Sequence, residues 1–128
     1  MTSNSQVFGK DAEVAAEQYL RQLGYRILGR NVRLSNGELD LVAQHQDTIV
    51  FVEVKARRTA QFGGAKYSVT SQKQKRLINL AAQYLSQHEL SQRLSRFDVI
   101  LYQCDDKQVG HLEHLANAFE LEGNDGRW

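Results

Sequence analysis

Two apolar runs, Leu39-Asp-Leu-Val-Ala43 and Ile49-Val-Phe-Val-Glu-Val54, stand either side of a short polar turn. β-Branched and aromatic residues at this density form strands, and so short a gap joins the two strands antiparallel. Strands are therefore expected over Glu38–Gln44 and Thr48–Arg57, with the turn centred on Gln46-Asp47. That register puts Asp40 directly opposite Glu53, with Cβ atoms roughly 4.5–5.5 Å apart. Two facing carboxylates repel each other and cost stability unless a cation lies between them. Lys55 falls on the same face as Glu53, because side chains alternate along a strand with a period of two. An Asp, a Glu and a Lys on one face are the apparatus of metal-assisted phosphodiester cleavage: hard oxygen donors beside a positive charge.

An acid-x-Lys triplet is expected about once by chance in a chain this long, and Asp105-Asp106-Lys107 is a second one, set in a polar turn. Glu53-Val-Lys55 stands apart through the β-branched run around it and the carboxylate opposite. The competing structural reading is an edge-strand salt bridge from Glu53 to Lys55, with Asp40 a surface acid near the turn. Gln-Asp is not a favoured two-residue hairpin turn, so the register is an inference.

The rest of the chain supplies a framework for that pair. Residues 10–23 have a helical period, with Val14, Ala15, Tyr19, Leu20 and Leu23 on the apolar side and Gly24 as a stop. Tyr25–Arg33 reads as a strand. After a glycine-bearing loop over Thr59–Tyr67, Ser71 is the expected N-cap of a second helix, with Gln74 at the capping-box position. The buried stripe of that helix is Leu77, Leu80, Ala81, Tyr84 and Leu85. Further strands are expected over Arg96–Tyr102 and Gln108–Leu115, and the tail from Glu120 is expected to fray. The order α-β-β-β-α-β-β gives a three-strand meander and then a β-α-β crossover, which favours a parallel pair. The expected fold is α/β: a mixed sheet flanked by helices, one domain over residues 1–119 with a tail at 120–128.

The 128 residues suffice for one real core, and 41% hydrophobic with 24% charged residues is ordinary for a globular protein. No apolar run approaches a membrane span of about 20 residues, the N-terminus lacks a signal-peptide pattern, and Cys104 is the single cysteine. A cytoplasmic location is the expectation. The net charge of +1 hides an asymmetry. From Val54 to Arg76 stand Lys55, Arg57, Arg58, Lys66, Lys73, Lys75 and Arg76 with no acid among them, whereas acids predominate from Cys104 onward. A basic run that begins at the paired carboxylates favours an anionic partner such as nucleic acid. Arg57, Arg58, Lys73 and Lys75 are its candidate phosphate contacts.

Several motifs fall together along the chain. They are Gly9-x-x-x-Glu13-x-x-Ala16-x-x-Tyr19-Leu20, Gly24-Tyr25-x-Ile27-Leu28-x-Arg30-Asn31, Asn36-Gly-Glu-Leu-Asp-Leu-Val42, Phe51-Val-Glu-Val-Lys-x-Arg57 and Arg96-Phe-Asp-Val99. Over roughly residues 8–119 the chain resembles the YraN-like family. That resemblance implies a restriction-endonuclease-like fold, akin to Holliday-junction resolvases, in which Asp40 and Glu53 hold Mg²⁺ or Mn²⁺. It also implies an acid from the first helix, Glu13 by position, although Glu17 lies one turn away on nearly the same face. Ser71 stands where a family proline is usual.

The sequence thus points to a divalent-metal-dependent endonuclease acting on DNA, structured or branched by analogy. Asp40, Glu53 and Glu13 are its metal ligands, Lys55 assists the attacking water, and a homodimer is compatible with this reading. A non-catalytic nucleic-acid-binding module with the same fold is the alternative, and a protein-interaction adaptor the third reading. His111-x-x-His114 is set aside as a metal pair, since an offset of three on a strand sends the rings to opposite faces.

Overall fold

A computed structural model describes residues 4–57, 70–104 and 109–119. Helix α1 (Asn4–Gln22) leads into strands β1 (Arg26–Leu34), β2 (Gly37–His45) and β3 (Thr48–Arg57). Helix α2 (Ser71–Gln87) and strands β4 (Leu94–Cys104) and β5 (Gly110–Phe119) follow. The strands form one sheet in the order β1-β2-β3-β4-β5, with β3 and β4 parallel and every other neighbouring pair antiparallel. This is the expected mixed α/β architecture, broadly that of a nuclease-like fold. The expected loop over Thr59–Tyr67, with Lys66, lies outside the described residues, as do Arg58, the Asp105-Asp106-Lys107 triplet, the side chain of Arg57 and the tail from Glu120.

Each helix covers one face of the sheet. Leu77, Leu80, Ala81, Tyr84 and Leu85 of α2 are all buried, as the stripe predicts, against Leu39, Val42, Ile49, Phe51 and Phe97. On the other face α1 buries Ala16 and Leu20 against Leu41, Ala43, Val50, Val52 and Ile100. Here the sequence reading needs correction. The buried stripe of α1 is Ala12, Ala16 and Leu20, whereas Val14 and Leu23 are 56% and 50% exposed. Alanine offers little apolar area and so a weak signal, but small side chains let a helix lie close on the sheet. Gly24 ends α1 with a left-handed φ of 91°, and the Tyr25 N–H reaches back to the Leu20 carbonyl at 3.0 Å.

The cap of α2 also differs from expectation. Thr70, not Ser71, is the N-cap: its hydroxyl accepts the Lys73 N–H at 3.2 Å, and its carbonyl accepts the first helical bond from Gln74 at 2.9 Å. Ser71 is already the first helical residue. Thr70→Ala should therefore cost about 1 kcal/mol and Ser71→Ala almost nothing, which urea denaturation of the two variants would separate. Among the described residues no helix is long and apolar enough to cross a membrane.

Candidate active site

The β2–β3 ladder follows the expected register from His45↔Thr48 to Leu41↔Val52, and stops there. The next pair in that register would be Asp40 and Glu53, so pairing ends just short of two carboxylates. On its other side β2 stays paired with β1 through Val32↔Leu39, Arg33↔Glu38 and Leu34↔Gly37. In place of a ladder bond, the Asp40 carboxylate accepts the Val54 N–H at 2.9 Å. A cavity of about 90 Å³ opens here, with Glu38, Asp40, Glu53, Arg76 and Asp98 as its charged lining and Phe51, Leu77, Phe97 and Phe119 among its apolar walls. It has room for several waters.

The electrostatics single out Asp40. Burial pushes its carboxyl up to about 6 from an ordinary 3.8. The Val54 N–H opposes that rise, while the negative charges of Glu53, Glu13 and Glu38 add to it. Three carboxylates, from α1, β2 and β3, thus act on Asp40 at one end of the sheet. Glu13 and Glu17 differ in their partners. Glu17 accepts from Arg30 at 2.7 Å and from Arg21 at 3.4 Å, and its carboxyl is held below the ordinary range chiefly by the Arg30 bond. Glu13, by contrast, contributes its field to Asp40.

Glu53 is neutralised from α2. The Lys73 ammonium forms an ion pair with Glu53, the two side chains being 23% and 13% exposed. The first turn of α2 thereby bends a cation onto β3, which explains a lysine placed against the helix dipole. Lys55 is exposed on β3, and Lys75 is exposed on α2. In donor chemistry the site suits a hard divalent cation, with carboxylate oxygens on facing strands and Lys73 standing as a positive charge against one of them. Among the described residues, no group of three or more His, Cys, Asp or Glu side chains is close enough to enclose a metal ion.

Sequence reading missed a second ionic centre. Asp98 on β4 is fully buried and accepts from Arg96 Nε at 3.0 Å, Arg96 Nη2 at 3.2 Å and the Asn117 N–H at 2.9 Å. It also accepts from His114 Nε2 at 2.7 Å, since an ionised carboxylate has no proton to give. Tyr19 of α1 lies 3.1 Å from the other nitrogen of His114, and Arg96 also donates to the Tyr25 hydroxyl. Burial pushes the Asp98 carboxyl up, but the bonds from His114, Arg96 and Asn117 outweigh it and leave it lowered. The available signal was Arg96-x-Asp98, an acid and a base two apart on a strand. His114 turns inward to this centre while His111 is exposed, as their offset of three requires.

Comparison with known proteins fits the same frame. The model of the uncharacterised protein family UPF0102 matches residues 12–102. The chain belongs to this family. UPF0102 is YraN-like, in agreement with the motifs of the sequence. A UPF0102 protein of Desulfosudis oleivorans is 39% identical over 120 residues, covering 94% of this chain and 95% of its own. One from Pelotomaculum thermopropionicum is 43% identical over 120 residues, 93% of this chain and all of its own. A third, from Trichlorobacter lovleyi, is 41% identical over 118 residues, covering 91% and 93%. The UPF0102 match takes in Glu13, Asp40, Glu53, Lys55, Lys73 and Asp98.

Proposed function

We propose that this UPF0102 protein is a divalent-metal-dependent endonuclease that hydrolyses phosphodiester bonds of DNA, with structured or branched DNA its preferred substrate. One observation carries this reading. The β2–β3 ladder ends at Asp40 and Glu53 in an acid-lined cavity, an arrangement from which folding alone gains nothing. Asp40 and Glu53 would hold Mg²⁺ or Mn²⁺, and Glu13, whose charge reaches Asp40, would have to draw closer to join them as the third acid. The bound ion supplies Lewis-acid stabilisation of charge on the phosphoryl oxygens.

The remaining chemistry belongs to the chain. The Val54 N–H fixes the Asp40 carboxylate, so that it does not reorganise as the phosphate arrives. Lys55 orients the attacking water and offsets negative charge developing on phosphorus. Lys73 screens Glu53 from the incoming phosphate, while Arg57, Arg58 and Lys75 contact the backbone.

The test is cleavage of labelled single-stranded, duplex, flap and four-way-junction DNA with Mg²⁺ or Mn²⁺ and with EDTA. Cutting should require the metal. Glu13→Gln should slow it on the order of 10²-fold, and Glu17→Gln should lose far less. The non-catalytic binding module is supported by the Lys73–Glu53 pair, which neutralises one acid without a metal. DNA binding without cleavage under any metal would select that module over the nuclease.

A further inference from the structure

Between Glu17 and Glu38 the chain has no acid and no lysine, yet it carries Arg21, Arg26, Arg30 and Arg33. Three of these four lie on β1, an edge strand of the sheet. Their positions are not equivalent. Arg30 pairs across the strands with Leu41, and Arg33 with Glu38, so the two straddle Asp40 on the neighbouring strand. Adjacent strands lie about 4.8 Å apart, within easy reach of an arginine side chain. Arg26 pairs with Gln44 at the far end of β2, about 23 Å from Arg33 at the rise of a strand. The left-handed φ of 50° at Asn31 breaks the alternation between them. Leu41, opposite Arg30, packs on the α1 face, while Val32 and Leu34 pack on the α2 face. Arg30 and Arg33 therefore both lie on the α1 face, one on each side of Asp40 along the strand.

Both are held loosely. Arg30 shares Glu17 with Arg21, leaving that trio with a net positive charge. Arg33 is 88% exposed and meets Glu38 at only 3.6 Å. Ion pairs this exposed contribute little, so a phosphate can recruit either guanidinium without breaking a strong bond. Arginine also offers a fork that matches two phosphate oxygens at once.

We propose that Arg30 and Arg33 form a DNA-phosphate site on the β1 side of the acids, opposite the basic run of β3 and α2. The inference rests on the nucleic-acid reading of the acid cavity and extends it. The DNA backbone crosses the acids between two basic flanks, so the substrate continues on both sides of the phosphate that is cut. Lys55, Lys75 and Arg76 serve one flank, and the β1 arginines serve the other.

The experiment is fluorescence-anisotropy binding of a labelled random-sequence duplex in EDTA over a series of salt concentrations. Each lost phosphate contact should flatten the dependence of log K on log salt by about 0.9. Arg30→Gln with Arg33→Gln should therefore reduce the slope by about 2, and either single variant by about 1. Arg26→Gln should leave the slope unchanged, and Arg30→Lys and Arg33→Lys should retain it. An unchanged slope in the double variant, an equal loss in Arg26→Gln, or no binding by the wild type at low salt would each overturn the proposal. With metal excluded, the result is independent of whether the protein cuts DNA.

Discussion

Asp40→Asn is expected to abolish metal-dependent cleavage while making the protein more stable and leaving DNA binding intact or tighter. The amide oxygen can still accept the Val54 N–H, so the local geometry survives. The negative charge does not, and with it goes the repulsion from Glu53, Glu13 and Glu38. The Asp40 carboxyl is raised in the folded state, to about 6 from 3.8. A raised carboxyl favours folding below its unfolded value, and that contribution is lost as pH rises through the folded value. Wild type should therefore lose stability at this site between about pH 4 and pH 6, whereas Asp40→Asn should not. At neutral pH the variant should gain about 1–3 kcal/mol, the upper figure corresponding to the full shift. Cleavage should fall by 10²–10³-fold or more, the order seen when a transition-state contact is lost. Urea denaturation at pH 4 and pH 7, beside the cleavage assay, reads both effects. A variant that is less stable at pH 7, or that still cuts, would remove Asp40 from its assigned role.

Asp98→Ala is expected to have the opposite consequence: a loss of about 3–5 kcal/mol, the cost of stranding the partner of a buried ion pair. That is a large part of the roughly 5–15 kcal/mol that holds a domain together. Arg96 would keep a charge with no counterion, and His114 and the Asn117 N–H would each lose an acceptor. Replacing Arg96 by Met in the same chain should recover part of the loss, because the unpaired charge goes too. The pH sign is also reversed. A lowered carboxyl stabilises the fold above its unfolded value and loses that contribution as pH falls. Denaturant midpoints of the single and double variants test this. An Asp98→Ala protein as stable as wild type would show that the buried network contributes nothing.

The two aspartates show where sequence reasoning reached its limit. Both are acids in apolar strands, Asp40 two residues from Glu38 and Asp98 two residues from Arg96. Asp40 was legible because the turn fixed the β2–β3 register, which runs to Leu41↔Val52 and leaves Asp40 and Glu53 as the next residues on the two strands. Asp98 was not, because beside Arg96 of its own strand its partners are His114 and Asn117 of β5, and Arg96 is itself tied to Tyr25 ahead of β1. Their convergence depends on the sheet order and on the irregular pairing of β4 with β5 between Phe97 and Val99. The same holds for Glu13 and Glu17. They lie one turn apart, and the sequence leaves their roles exchangeable until the rotation of α1 is known. Ala12, Ala16 and Leu20 set that rotation, and two of these three residues contribute little to a hydrophobic pattern.

By itself the sequence determined the α-β-β-β-α-β-β order, the β2–β3 register as far as Leu41 and Val52, and the buried face of α2. All of these follow from alternation and helical period, which act between near neighbours. Only the tertiary structure decided that Lys73 neutralises Glu53, that Glu17 belongs to arginines, and that Arg30 and Arg33 flank the acids. These are contacts between separate elements, fixed by how the helices seat on the sheet, and no local pattern encodes that seating.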